Sequence, residues 1–218
     1  MNQKIILMIY FSFSQHNDLR QCAKKWAYRK LDKLSGKKSD AMQKGVLIHE
    51  EIEAGLQTGK KTSRVVWAKK ILEKYQITNF KTEQKLEKQI GDITLVGVAD
   101  IISDSTILDW KTGKKPKGEN TRTIDQLHLY GYMAEEQPET LVGAYVDHDW
   151  TFSVPYDPYY AETIIEPIID SAHQAETLKD NFVSAEEIQG KPSRLCRWCE
   201  FYDICPDNFE KERKRLKK

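Results

Sequence analysis

The first third of the chain carries apolar side chains at intervals of three and four residues, a period that predicts amphipathic helices. The predicted helices cover residues 14–34, 41–57 and 63–76, the first with Ser14 as its N-cap. From residue 81 the pattern changes to short segments rich in β-branched side chains, which predict strands. The predicted strands cover residues 81–90, 93–102 and 105–112. Because short turns separate them, we expect these strands to form an antiparallel meander.

The second half of the chain continues to alternate between the two patterns. A helix is predicted over residues 123–137, followed by one or two strands within residues 140–156. A long helix is predicted over residues 157–182, interrupted or kinked at Pro167 because proline removes a backbone donor from the helix interior. The chain has 218 residues, a length typical of one domain. We therefore expect a single domain with an α/β fold.

Charge and hydropathy exclude some classes of protein. The 34 Lys and Arg residues balance 33 Asp and Glu residues, so any surface for nucleic acid must be a local cluster of positive charge. The longest apolar run, Ile5 to Phe13, is shorter than the roughly 20 residues needed to cross a bilayer, and no small-residue cleavage site follows it. We expect a soluble, cytoplasmic protein without a membrane partner.

Charged side chains interrupt the third predicted strand. Strand alternation directs Asp109 and Lys111 to one face and Trp110 to the other. A two-residue turn at Asp104-Ser105 would place Asp100 opposite Asp109 on that same face. Two facing, partly desolvated carboxylates repel each other, but a divalent cation between them reverses the sign of the interaction. With a lysine beside the cation, this arrangement suits the hydrolysis of a phosphodiester.

Four motifs in this region occur in the order found in a known family. They are "GVAD" (Gly97 to Asp100), "LDWKTG" (Leu108 to Gly113), "GVLIHEEIE" with His49 on a helix, and "QLHLY" with Gln126 and Tyr130 one helical turn apart. Together they resemble the motifs of the PD-(D/E)xK nuclease superfamily, and within it those of the RecB-type nucleases.

The resemblance implies a fold and a role for each residue. The implied fold is restriction-endonuclease-like, with a mixed central sheet flanked by helices. The implied ligands of a catalytic Mg²⁺ or Mn²⁺ are His49, Asp100, Asp109 and the backbone carbonyl of Trp110. Lys111 would be the catalytic lysine, and Gln126 and Tyr130 would position DNA or water.

The four cysteines are unevenly placed. Cys22 stands near the start of the chain, whereas Cys196, Cys199 and Cys205 follow the predicted core. Their layout resembles the iron-sulfur branch of these nucleases, which includes the AddB nuclease and the CRISPR-associated RecB-like exonucleases. The resemblance implies a [4Fe-4S] cluster that joins the N- and C-terminal segments. Zn²⁺ is the alternative, because four thiolates are also a common structural zinc site.

The motifs and cysteines divide the expected single nuclease domain, residues 1–218, into three parts. Residues 1–40 would carry the first cluster cysteine, residues 41–155 the catalytic core, and residues 156–218 the last helix and the three-cysteine segment.

Two further charged segments flank the predicted core. The lysines that directly follow the catalytic strand, Lys114, Lys115 and Lys117, can reach the phosphates of a bound strand. By contrast, Glu83 and Glu87 alternate with lysines in "KTEQKLEK". This alternation favours a solvated face over a contribution to the site.

The function that these observations predict is a metal-dependent DNA nuclease. By analogy with relatives that share the cysteine layout, we expect an exonuclease on single-stranded DNA ends, acting alone or within a larger nuclease or integrase assembly. Two alternatives stay open: a structure-specific endonuclease on the same fold, and a non-catalytic DNA-binding or adaptor subunit.

Overall fold

A computed structural model of the protein describes residues 8–37, 39–118 and 120–210. The chain divides into two compact units. The first contains residues 40–166 with the described residues before Phe11, and the second contains the described parts of residues 11–39 and 167–218. The expectation of a single domain stays a prediction.

The first unit is built on a mixed sheet. Its strands are β1 (Ile9–Ser12), β2 (Lys81–Ile90), β3 (Ile93–Ile102), β4 (Thr106–Lys111), β5 (Thr140–Tyr145) and β6 (Trp150–Pro155). Their order is β1-β3-β4-β5-β6, and β2 also pairs with β3. The pairs β2–β3, β3–β4 and β5–β6 are antiparallel and β4–β5 is parallel. This confirms the antiparallel meander and the mixed sheet of the predicted α/β fold.

Four helices accompany this sheet in sequence. They are α3 (Asp40–Thr58), α4 (Ser63–Lys74), α5 (Thr121–Met133) and α6 (Pro158–Asn181). Helix α5 connects β4 to β5, as a parallel strand pair requires. Helix α6 continues through Pro167 without the predicted interruption. The helix predicted to run to residue 137 ends at Met133, and Ala134 is already extended.

Two tight turns determine which residues of the meander face each other. Ile90 pairs with Ile93 around the first turn, and Ile102 pairs with Ile107 around the second. The paired residues of β3 and β4 end at Ile101–Leu108, and continuing this register by one residue would bring Asp100 opposite Asp109. The register agrees with the predicted turn at Asp104-Ser105 and, by extension, with the predicted opposition of the two carboxylates.

The opposite face of β4 belongs to the hydrophobic core. Leu108 and Trp110 are buried in a cluster with Ile48 and Ile52 from α3 and with Val142 from β5. Helix α4 contributes Ala68, Ile71 and Leu72 to the same cluster. Because side chains alternate along a strand, this packing commits Asp109 and Lys111 to the other face.

The first helix predicted in the second unit is wrong in its extent. It is two helices, α1 (Phe13–Gln21) and α2 (Ala23–Lys30), separated by Cys22 in an extended conformation. The N-cap of α1 is Ser12 rather than Ser14, since the Ser12 side chain accepts a hydrogen bond from the Gln15 backbone. The extended backbone at Cys22 ends the first helix and lets its sulfur leave the helical surface.

A membrane span would require a long and mostly apolar helix. Within the described residues, none combines the length and the apolar character that crossing a bilayer requires.

Candidate functional site

His49 and Asp100 meet at the centre of the candidate site. His49 lies on α3, and its Nδ1 is 3.2 Å from Asp100 Oδ1. The other oxygen of Asp100 accepts a hydrogen bond of 2.6 Å from the Trp110 backbone N–H on the neighbouring strand. Asp100 is only 9% exposed, so these two contacts fix its orientation between helix and sheet.

Asp109 and Lys111 form an ion pair on the same face of β4. Lys111 Nζ lies 2.6 Å from Asp109 Oδ2, and Asp109 is 4% exposed. The contact is a close ion pair, and the described structure gives the buried Oδ2 atom no other hydrogen-bond donor. A buried carboxylate is costly unless a cation compensates its charge, and Lys111 does so here.

Gln126 and Tyr130 hold the lysine from helix α5. Lys111 Nζ donates to Gln126 Oε1 at 2.9 Å, and Gln126 Nε2 donates to the Tyr130 hydroxyl at 2.7 Å. The Tyr130 ring packs over Gly97, where an added Cβ would lie 2.7 Å from a ring carbon. The glycine of the "GVAD" motif therefore makes room for the tyrosine of the "QLHLY" motif.

Glu83 is a candidate site residue that the sequence prediction missed. One ligand atom each from His49, Glu83 and Asp100 lies within 4.8 Å of the others. The β2–β3 register would place Glu83 opposite Asp100, and there the ladder is interrupted, with Glu83 at φ 46°. That backbone conformation is energetically unfavourable for a non-glycine residue, and such strain often marks a functional position. Glu83 nevertheless stays partly exposed, so the prediction of a solvated side chain holds in part, whereas its separation from the site does not.

The electrostatics of the site reflect several carboxylates in a partly desolvated space. Burial raises the pKa of Glu83 to about 7, with further increases from the charges of Asp100 and Glu53. Burial also raises the pKa of Asp109 to about 6, although Lys111 opposes the shift. Burial lowers the pKa of His49, but the hydrogen bond to Asp100 and its negative charge outweigh that effect and raise it overall.

These residues fit a divalent cation. Carboxylate oxygens are preferred ligands of Mg²⁺ and Mn²⁺, and imidazole is compatible with Mn²⁺. Of the four predicted ligands, the structure brings His49 and Asp100 into direct contact. Asp109 is not among the three residues whose ligand atoms lie within 4.8 Å of one another. The group of Trp110 that contacts Asp100 is its N–H, whereas the prediction assigned its carbonyl to the metal. Metal ligation by these residues stays a prediction.

The four cysteines lie in the second unit. All four are partly exposed thiols outside any disulfide, and they line one cavity of about 30 Å³. The Lys191 N–H donates to the Cys22 sulfur at 3.4 Å, and the Ser193 N–H donates to the Cys196 sulfur at 3.3 Å. Burial raises the pKa of Cys199 and of Cys205, so these thiols stay protonated unless a cation binds them.

The spacing of the sulfurs bears on what they could hold. Within the described residues, no three cysteine sulfurs lie within 4.8 Å of one another. A tetrahedral Zn²⁺ with Zn–S bonds of about 2.3 Å brings its sulfurs to about 3.8 Å apart. A single ion would therefore draw the sulfurs together, and a larger iron-sulfur cluster would have to widen the cavity. The four-cysteine cluster stays a prediction.

A family model identifies the class to which this fold and site belong. The model of the PD-(D/E)XK nuclease superfamily matches residues 51–206. The match covers more than half of the chain, and the chain belongs to this superfamily. The fold and the site thus define a nuclease.

Solved structures agree with this fold. SSO0001 is 18% identical in sequence, with a TM-score of 0.54, and the alignment covers 91% of this chain and 87% of that protein. A protein from Eubacterium rectale, described as an exonuclease, is 14% identical with a TM-score of 0.61, over 88% of this chain and 87% of its own. No curated protein matches the sequence significantly.

The carboxylate cluster makes the stability of the metal-free protein depend on pH. Because Glu83 and Asp109 have pKa values of about 7 and 6, above the roughly 4 of exposed carboxyl groups, the folded chain retains protons that the unfolded chain has lost. The contribution of these groups to stability is therefore complete below about pH 4 and is lost as the pH rises to about 7. In EDTA we therefore expect a lower Tm at about pH 7.5 than at about pH 5.5. Mn²⁺ should raise the Tm more at the higher pH, since it binds the deprotonated groups.

Matched variants separate this cluster from the other titrating groups of the chain. Glu83→Gln should flatten the pH dependence and weaken the stabilisation by Mn²⁺, whereas Glu87→Gln, at an exposed position of the same strand, should change neither. Identical Tm profiles for Glu83→Gln and the original chain would contradict the assignment.

Proposed function

We propose that the protein is a metal-dependent deoxyribonuclease whose catalytic residues are His49, Asp100, Asp109 and Lys111, with Glu83 as an added acidic group. The observation that carries this proposal is the convergence of His49, Glu83 and Asp100, whose ligand atoms lie within 4.8 Å of one another, next to the strand that bears the buried Asp109–Lys111 ion pair. The family supports phosphodiester hydrolysis, and the three converging ligand atoms support a cation at this position.

The roles of the side chains follow from their contacts. His49, Glu83, Asp100 and Asp109 would hold Mg²⁺ or Mn²⁺. When bound, the cation supplies Lewis acidity and lowers the pKa of a coordinated water. Lys111 presents a positive charge where the scissile phosphate gains negative charge, and Gln126 holds its ammonium group in place. Tyr130 in turn orients the Gln126 amide.

Removal of the lysine or of the buried aspartate should abolish cleavage. We expect Lys111→Ala and Asp109→Ala to lower the rate of DNA hydrolysis by about 100-fold or more, because preorganised charges at a reacting phosphate contribute several kcal/mol. Binding of the same oligonucleotide should persist in both variants. The measurement is hydrolysis of labelled DNA in Mg²⁺ and in Mn²⁺, with fluorescence anisotropy for binding. Undiminished cleavage in both variants would refute the site.

The substrate that we propose is a single-stranded DNA end. The support is the resemblance of the cysteine layout to exonucleases of the iron-sulfur branch, and one protein of the same fold is described as an exonuclease. We expect linear single-stranded DNA to be degraded to small products while a closed circle of the same sequence stays intact. Prompt cutting of the circle would favour an endonuclease, and binding without any cleavage would favour an adaptor subunit.

We further propose that Cys22, Cys196, Cys199 and Cys205 hold a [4Fe-4S] cluster. Supporting observations are the cavity that they share and the two backbone N–H groups directed at sulfur, as thiolate ligands commonly receive. Protein purified without oxygen should be brown, with about four irons and four acid-labile sulfides per chain. Cys199→Ser should contain less iron and should also have a lower Tm. A colourless protein with one zinc per chain would overturn the cluster in favour of Zn²⁺.

A further inference from the structure

A cavity of about 270 Å³ opens beside the catalytic lysine. Lys111 and Gln126 form part of its wall, and the loop after β4 and the start of α5 form the rest. A water molecule takes about 30 Å³ in the liquid, so the cavity has room for about nine waters or for a bulkier polar group. It is thus a compartment of the active site that the cation-binding residues do not fill.

The walls of this cavity carry positive charge that the described part of the protein does not neutralise. Lys114 and Arg122 both line it. Both residues are exposed, and no carboxylate among the described residues forms an ion pair with either of them. Lys111, whose charge is shared with Asp109, lines the same space, so three cationic side chains are available to phosphate groups there.

Aromatic side chains continue the same face of the sheet away from the cavity. Tyr145 lines the cavity and is the β5 partner of Lys111, while Trp150 is the β6 partner of Tyr145. Directly paired residues point to the same face, and the Tyr145 and Trp150 ring centroids are 5.2 Å apart. Phe152 follows at 5.6 Å from Trp150. Tyr145, Trp150 and Phe152 form what we call the aromatic shelf.

The shelf is accessible at its outer end and is already in contact with a cation. Trp150 and Phe152 are only partly buried, unlike Tyr145. Lys115 Nζ lies 4.6 Å from the centroid of the Trp150 ring. The basic loop after the catalytic strand therefore spans from the cavity to the shelf, and charge and ring surface follow one another outward from Lys111.

We propose that the cavity and the aromatic shelf form a subsite for the unpaired nucleotides next to the cleaved bond. Lys114 and Arg122 bind the backbone phosphate, and a base stacks on the partly exposed ring of Trp150. Stacking of this kind requires an exposed base face, which paired bases within a duplex do not offer, so the shelf selects single strands. The inference rests on the proposed nuclease function and assigns its strand specificity to these residues.

The test is binding of a fluorescent ten-nucleotide oligo-dT and of a blunt duplex, measured by anisotropy in Ca²⁺ over a series of salt concentrations. Trp150→Leu should weaken oligo-dT binding about five-fold or more, because stacking on an aromatic side chain contributes at least that much. For the same variant, the salt dependence of oligo-dT binding and the affinity for the duplex should stay unchanged. Trp150→Phe, which retains a ring, should recover most of the affinity and guards against a fold defect.

Loss of a cationic residue from the subsite should change a different quantity, the salt dependence of binding. Arg122→Ala should reduce the slope of log K against log salt by about 0.7, the value for one phosphate contact on a single strand. Two exposed positions of the same unit serve as controls: Lys70→Ala should leave the slope unchanged, and Tyr159→Leu should leave the affinity unchanged.

The outcomes distinguish this subsite from the nuclease function itself. Suppose that the original chain cleaves DNA, and that Trp150→Leu and Arg122→Ala bind oligo-dT with the affinity and salt dependence of the original chain. The proposed subsite is then overturned and the nuclease function stands. Equal losses on oligo-dT and duplex would also overturn it, since a general loss is not strand selection. If the original chain neither binds nor cleaves DNA, both proposals fall.

Discussion

Three carboxylates from three consecutive strands are forced toward one another, and the arrangement of the first unit depends on how this repulsion is met. Glu83, Asp100 and Asp109 come from β2, β3 and β4, and two tight turns fix the registers that oppose them. Like charges in a partly desolvated space destabilise the fold, as the raised pKa values of Glu83 and Asp109 express. The chain offsets this cost on the other face of the same sheet, where Trp110 and Leu108 pack against α3 and α4. A strand that is apolar on one face and acidic on the other therefore loses stability on one face and gains it on the other, and the proposed cation would reduce the loss.

Much of this arrangement was predictable because turn chemistry and strand alternation are local. Residues 81–90 and 93–102 were predicted with their exact bounds, since Gly91 adopts a positive φ that a tight turn favours. The opposition of Asp100 and Asp109 followed from counting outward from the second turn. The same count from the first turn, starting at the pair Ile90–Ile93, leads to Glu83 opposite Asp100, and this signal was available. The alternation of glutamate with lysine concealed it, because alternation describes an undistorted strand and Glu83 leaves the ladder at a positive φ.

The features that could not be predicted depend on distances between remote parts of the chain. The helical pattern runs through "RQCAKKW" without glycine or proline, so no local signal indicates that Cys22 is extended. That conformation depends on what surrounds the sulfur, including the N–H of Lys191 far along the chain. Cysteine spacing in the sequence likewise gives the number of thiolates but not their separations. The aromatic shelf was not predicted for a related reason: its place beside Lys111 depends on the pairing of Tyr145 with Lys111, and therefore on β5 lying parallel to β4, which no local turn determines.

The position of Lys111 shows how the site can keep its geometry when its charge changes. The ammonium group has two partners of different kinds: Asp109, whose charge a divalent cation would share, and the Gln126 oxygen, which is neutral. If Asp109 were the sole partner, any change in its ionisation or ligation would release a flexible side chain. Gln126 cannot simply turn away, because its nitrogen is engaged by the Tyr130 hydroxyl and the Tyr130 ring is seated over Gly97. The lysine is thus held by the neutral contact to Gln126 as well as by its ion pair with Asp109, and the neutral contact does not depend on the charge of the carboxylates.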